Sequence, residues 1–219
     1  MSDDHLSGWA LIAGSGGMII TMSLHPTGRV AAPQMESMIR MLIGVHALAI
    51  ACIPVLFVGT LGLTRRLRSG HRLAICGLIV YTFALIAVMN AAVADGLITP
   101  SVLRQIVDSA GAQPAADTWR MISHYNFYIN QAFTQVFVAG SSVALMLWSL
   151  AAWAKRELSR GLSIYGCILA VVSVGAMLSG HLPLDVHHFG AVVAGQAIWY
   201  ISAGIMLLRS NHQQQAAVL

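Results

Sequence analysis

The histidines of this chain are the residues whose type and position best suggest chemistry. Neutral imidazole is the commonest metal ligand among side chains, and an ionisable group within a membrane span is a functional candidate by default. Several apolar segments carry such a group near one and the same edge, so the sequence predicts a metal site there. A divalent ion is the expected cofactor, with zinc preferred. The predicted ligands are His25, His46, His124, His181, His187 and His188.

Two aspartates lie at the same level as these histidines. Asp95 ends one apolar segment, and Asp185 lies between His181 and His187. Zinc lowers the pKa of a bound water to about 7, and a nearby carboxylate can accept the proton that the water loses. We therefore predict that Asp95 and Asp185 are catalytic residues.

Amide side chains accompany the histidines on two of the segments. Buried amides must find hydrogen-bond partners, and groups around a metal centre often orient its ligands. We predict this supporting role, and hydrogen bonds that only join helices are the alternative. The residues are Asn126, Asn130, Gln131 and Gln196.

The segments that carry these residues are long and apolar. Of 219 residues, 57% are hydrophobic and 9% are charged, whereas soluble domains carry roughly 25% charged residues. This composition excludes a soluble enzyme. Six stretches approach or exceed the length of a spanning helix, which is about 20 residues. They predict an all-α fold with a single six-helix transmembrane domain over 1–219, and they are 9–24, 39–63, 73–94, 122–154, 162–180 and 189–208.

The basic residues predict the orientation of the bundle. They concentrate in the loops after the second and fourth spans, and cytoplasmic loops collect Lys and Arg. Both termini are therefore expected in the cytoplasm and the histidine edge on the outer side, which is the periplasm for a bacterial inner membrane. Because these loops account for the net charge of +4, the expected partners are membrane lipids and not nucleic acid. Homo-oligomerisation stays open.

The connection over 96–120 is the long outer one. Thr99-Pro100-Ser101 predicts a helix start, with Thr99 as N-cap and proline in the first turn. Val102, Leu103, Ile106 and Val107 follow at helical spacing. We predict a short helix on the membrane surface, and a connector packed on the bundle is the alternative.

The histidines and aspartates near one membrane face resemble those of the alkaline ceramidase and adiponectin receptor group, whose membrane-embedded zinc activates water against a lipid amide. The motifs differ from the pattern expected of that group, which has Ser four residues before a His, a paired His motif and seven spans. Here Leu42 and Met177 stand four residues before His46 and His181, and the chain has no HxxxH motif. Membership in the group does not follow.

Three functions are open from the sequence, and whether the protein is an enzyme is open with them. The first is a metal-dependent hydrolase that acts on a lipid or another amphiphile. The second is a redox protein in which histidines bind haem, copper or iron. The third is a metal-ion or proton transporter, a sensor or a non-catalytic membrane subunit.

Overall fold

The computed structural model describes residues 3–26, 34–67, 72–109, 111–155, 157–180 and 184–216, and the predicted ligand His181 lies outside them. Helices account for every element of these residues. A π-helical segment, Ala94–Ile98, follows the third α-helix directly. The α-helices are α1 (Asp3–Leu24), α2 (Met35–Leu67), α3 (Arg72–Val93), α4 (Thr99–Asp108), α5 (Gln113–Lys155), α6 (Arg160–Leu178) and α7 (Val186–Ala216).

Six helical stretches are long and apolar enough to span a membrane. They are α1, α2, the continuous stretch from α3 to α4, α5, α6 and α7. This confirms the predicted all-α six-helix bundle and identifies an integral membrane protein. Large apolar side chains such as Phe83 on α3 and Val171 on α6 are exposed, as expected where a helix faces lipid tails.

The helices pack in a defined order. α1 lies along both α2 and α7, α3 lies along α5, and α6 packs mainly on α5. Small residues permit the close contacts, because lipid-exposed helices associate by direct packing and not by exclusion of water. Gly17 on α1 faces Cys52 on α2 so closely that a β-carbon at this position would collide with its sulfur.

The two ends of the bundle differ in chemistry. At the basic end, which holds the start of α1, the end of α2 and the loop between α5 and α6, Arg66 donates to Asp4 at 3.1 Å and to Glu157 at 3.0 Å. At the opposite end, which we call the site end, the end of α1 meets α2 and the π-helical segment through His25, His46 and Asp95.

Aromatic residues fill the core on the basic side of the bundle. Trp148 and Trp199 are fully buried and stack with ring centroids 6.5 Å apart. The Trp148 indole N–H donates to the hydroxyl of Thr64 at 3.0 Å. The Trp199 indole donates to the Leu162 carbonyl at 3.1 Å. These bonds satisfy the indole N–H groups of both tryptophans, whereas the buried hydroxyl of the neighbouring Tyr200 has no hydrogen-bond partner among the described residues.

The predicted outer connection over 96–120 is mostly helical. α3 continues through the π-helical segment into α4 without a break, so the N-cap of α4 is Ile98 and not Thr99. The Thr99 hydroxyl instead donates to the Ala94 carbonyl at 3.2 Å. α4 packs against α5 with Val102 buried, and α5 begins at Gln113, well before the predicted 122.

Candidate metal centre

Three of the predicted site residues come together at the site end. His25 follows the last turn of α1, His46 lies in α2 and Asp95 lies in the π-helical segment. One possible ligand atom from each residue lies within 4.8 Å of the other two. The side chains of His25 and His46 are 13% and 10% exposed, and that of Asp95 is 31% exposed. The group is thus sheltered and still open on one side.

Two of the three distances within this group match those between the ligands of one metal ion, and the third is within 4.8 Å. Asp95 Oδ2 lies 3.3 Å from Nε2 of His25 and 3.3 Å from Nε2 of His46. Zinc binds nitrogen and carboxylate oxygen at about 2.0–2.2 Å with tetrahedral angles, which puts two neighbouring ligand atoms about 3.3–3.5 Å apart. The three atoms therefore need little movement to bind one ion.

Backbone carbonyls set the proton positions on both imidazole rings. His46 Nδ1 lies 2.8 Å from the Leu42 carbonyl oxygen, and His25 Nδ1 lies 3.1 Å from that of Pro26. A carbonyl oxygen only accepts hydrogen bonds, so Nδ1 of each ring carries a proton. Nε2 is then the atom of each ring that faces Asp95, and it is the atom through which these rings would bind a metal ion.

The π-helical segment places Asp95 against the two histidines. The Ala94 carbonyl at its start accepts the backbone N–H of Thr99, five residues on, and the Asn126 amide of α5 donates to the same oxygen at 2.9 Å. The same amide donates to the Thr99 hydroxyl at 3.0 Å. Gly96 permits the close approach of this segment to α2, because a β-carbon there would collide with that of His46. Such π-turns inside longer helices are frequent at functional sites.

A second amide of α5 supports the same region. The Asn130 side chain donates to the Ala91 carbonyl at 3.0 Å, one turn before the π-helical segment. Asn126 and Asn130 were both predicted to support the site, and the structure places them next to the backbone that carries Asp95. Their effect on metal binding stays a prediction.

A cavity of about 380 Å³ adjoins the three residues. One part of its wall is apolar and includes Met18, Met22, Phe127 and Phe189. The rest is polar and includes the candidate ligands and the predicted catalytic residue Asp185. A small molecule that enters the cavity would therefore meet the candidate metal centre.

The other predicted ligands in the described residues do not join this group. His124, His187 and His188 are exposed at the site end. His188 instead pairs with Asp185, whose Oδ1 accepts from the His188 backbone N–H at 2.9 Å and from its Nδ1 at 2.8 Å. These two hydrogen bonds hold the pKa of the Asp185 carboxyl below its usual range, and the bond from the His188 backbone N–H has the larger effect.

The two predicted glutamines have different surroundings. Gln131 lines the cavity and donates to the Leu184 carbonyl at 3.1 Å. Gln196 lies deeper, where it donates to the Ser141 hydroxyl at 2.9 Å and joins α7 to α5. Gln196 therefore fits the alternative of a helix-joining hydrogen bond.

Sequence reasoning missed Gly96 and Thr99 as parts of the site. Both act through the π-helical segment, which has no recognisable pattern in a single sequence. The available signal was a glycine directly after the carboxylate that ends an apolar span, since such a glycine marks a close backbone approach.

Comparison with known proteins does not assign the chain to a family. No family model matches it, and no curated protein and no solved structure is significantly similar to it.

Proposed function

We propose that this protein binds one divalent metal ion through His25, His46 and Asp95 and uses it to hydrolyse an amphiphile inside the membrane. The observation that carries the proposal is the convergence of two Nε2 atoms on one carboxylate oxygen, each at 3.3 Å. A carboxylate oxygen only accepts, so each Nε2 at this distance either donates a proton to Asp95 or shares a cation with it. We propose the shared cation, because one metal ion can bind all three side chains.

The number of ligands favours a catalytic ion. Structural zinc sites have four protein ligands, whereas catalytic sites have three and leave a position for water. Two histidines and one carboxylate form such a three-ligand set, and the adjoining cavity gives water and substrate access to the open position. Zinc is the ion we propose, because it needs no redox partner.

A metal ion held by His25, His46 and Asp95 would activate water for attack on a carbonyl carbon. In that hydrolysis a C–O bond to water forms, the C–N or C–O bond to the leaving group breaks, and the leaving group takes up a proton. Asp185 lines the same cavity and is the candidate base that would accept the proton lost by the water. In this arrangement Asp95 is a ligand, whereas the sequence suggested a base.

Non-haem iron is the second candidate, because two histidines and one carboxylate also form the ligand set of many Fe(II) oxygenases. A haem between the two histidines receives less support. Their rings meet edge to face with centroids 5.1 Å apart, and both Nε2 atoms face the same oxygen. Transport also receives less support, since Trp148, Trp199 and Tyr81 fill the core beyond the cavity.

The test is hydrolysis by protein that has been loaded with one metal at a time. Decyl esters and decanoyl amides are incubated with the protein in water enriched in oxygen-18. We expect the labelled carboxylate with zinc, no product with His46→Ala, and an unchanged rate with His124→Ala, the matched exposed histidine. Oxygen consumption with iron alone would support the second candidate, and hydrolysis that survives in His46→Ala would contradict the proposal.

A further inference from the structure

The three threonine hydroxyl groups on the cavity wall each donate their proton to a backbone carbonyl, whereas Ser123 is a fourth hydroxyl on the wall. Thr21, Thr99 and Thr134 donate to backbone carbonyls of their own helices at 3.0, 3.2 and 2.9 Å. A hydroxyl group has a single proton and two lone pairs. These side chains therefore offer a ligand only the lone pairs of their oxygen atoms.

The amide groups on the wall are turned in the same sense. The NH₂ groups of Asn126, Asn130 and Gln131 donate to carbonyl oxygens at 2.9, 3.0 and 3.1 Å. A carbonyl cannot donate, so the nitrogen of each amide must be the atom that faces it. The second N–H of the Asn126 amide donates to the Thr99 hydroxyl oxygen. The amide oxygens therefore stay available as acceptors, and Asn130 and Gln131 each keep one further N–H.

The charged side chains of the cavity wall also favour a ligand that donates hydrogen bonds. Asp95 and Asp185 line the cavity, and its lining residues in the described part of the chain include no lysine and no arginine. A divalent ion at the candidate centre would be balanced by these two carboxylates. An anionic headgroup, such as phosphate or carboxylate, would find no cationic side chain here.

The rest of the wall suits an apolar chain. Met18, Met22, Phe127 and Phe189 give the cavity a hydrophobic side. Its volume of about 380 Å³ lies near the lower end of the roughly 300–1,000 Å³ that is usual for small-molecule sites. It matches a headgroup with part of one chain and not a two-chain phospholipid.

We propose that the cavity binds a single-chain amphiphile whose uncharged or cationic headgroup donates hydrogen bonds through hydroxyl or amine groups. This inference names the substrate class of the proposed function. That the ligand is hydrolysed rests on the proposed function, whereas the prediction that it binds rests only on the residues of the cavity wall.

The test compares headgroups on one chain. The protein is placed in phosphatidylcholine nanodiscs with a chelator, because that lipid headgroup has no N–H or O–H donor. Radiolabelled monodecanoylglycerol, its di-O-methyl ether, decylammonium and decanoate are titrated, and retention by empty nanodiscs is subtracted. We expect monodecanoylglycerol and decylammonium, which donate hydrogen bonds, to bind at least about tenfold more tightly than the di-O-methyl ether and decanoate. Equal affinity for the methylated probe, or tighter binding of decanoate, would overturn the inference.

Variants test which residues cause the preference for donor headgroups and whether that preference depends on the metal. Gln131→Leu should reduce the preference for donors, and Gln131→Glu, which keeps acceptor oxygens, should retain it. Asn90→Leu is the matched control, because Asn90 also donates to a backbone carbonyl but lies outside the cavity. In the unmodified chain with chelator present, the preference should persist. A preference for donor headgroups that persists without metal supports the proposed ligand class even if the metal proposal fails. A preference that is absent from metal-loaded protein overturns the ligand class and leaves the metal proposal standing.

Discussion

Asp95 connects the two histidines of the candidate centre, because one of its oxygens lies 3.3 Å from Nε2 of each ring. Each ring is also held from behind by a carbonyl oxygen, that of Pro26 or Leu42. The imidazoles therefore keep one tautomer and one orientation before any ion arrives. Preorganisation of this kind raises affinity, since little has to be reordered on binding.

Removal of one candidate ligand should abolish tight metal binding. His46→Ala is expected to weaken zinc affinity by well over a hundredfold, because loss of even an outer hydrogen-bond partner costs roughly 10–100-fold. His124→Ala should leave affinity unchanged, as His124 is exposed and lies outside the group. Competition with a chromogenic chelator measures both. Equal losses in the two variants would contradict the assignment of His46.

The close approach at Gly96 gives a second test with single residues. Gly96→Ala would push a β-carbon into that of His46, and such overpacking typically costs about 1–3 kcal/mol. We expect a lower unfolding temperature together with reduced zinc affinity.

The control for this substitution is Gly44→Ala in α2, where a β-carbon meets no atom within 4 Å. It should be neutral or slightly stabilising in both measurements. If Gly96→Ala behaves like Gly44→Ala, the segment that carries Asp95 does not depend on this contact.

The π-helical segment is the element that decides which acidic group reaches the histidines. It carries Asp95 at its second position and Gly96, whose close contact with His46 brings the segment against α2. The Asn126 amide joins the segment to α5 by donating to the Ala94 carbonyl and to the Thr99 hydroxyl.

Asn126→Leu should therefore disturb the segment without opening the core. It removes the hydrogen bonds that join the segment to α5, each worth about 0.5–1.5 kcal/mol, and zinc affinity should fall by about 10–100-fold. Asn90→Leu is the control, because that amide bonds only within its own helix. Zinc affinity that is unchanged in Asn126→Leu would show that the segment holds Asp95 without this amide.

The same element marks the limit of what the sequence can predict. Hydropathy predicts the spans, and the positions near their ends select His25, His46 and Asp95 as candidates. The sequence cannot separate these from His124, His187 and His188, because helix rotation decides which side chains meet. A single π-turn changes that rotation. Thr99 was predicted as an N-cap for the same reason, since a helix that continues through a π-turn needs no cap.

The bundle as a whole has two dissimilar ends. Ion pairs of Arg66 tie Asp4 and Glu157 together at the basic end, and the cavity lies at the site end. Composition and basic loops were enough to predict six spans and their order. They did not reveal the cavity, which depends on residues of α1, α2, α5 and α7 and on the π-helical segment.

Orientation in the membrane is testable with cysteines at the two ends. In a chain with Cys52, Cys76 and Cys167 replaced by alanine, Gly111→Cys lies at the site end and Gly161→Cys at the basic end. Both positions are exposed, and an added side chain meets no atom there. Because basic loops stay in the cytoplasm, a membrane-impermeant maleimide should label only Gly111→Cys in intact cells. Labelling of Gly161→Cys alone would reverse the orientation.

The metal content of the purified protein tests the central claim most directly. Elemental analysis and an absorption spectrum are recorded after loading with zinc and removal of excess, for the unmodified chain and for His46→Ala. We predict about one zinc per chain in the former, no visible absorption band, and almost none in the latter. Zinc content that is equally low in both proteins, or equal and high in both, would contradict a metal centre at His25, His46 and Asp95.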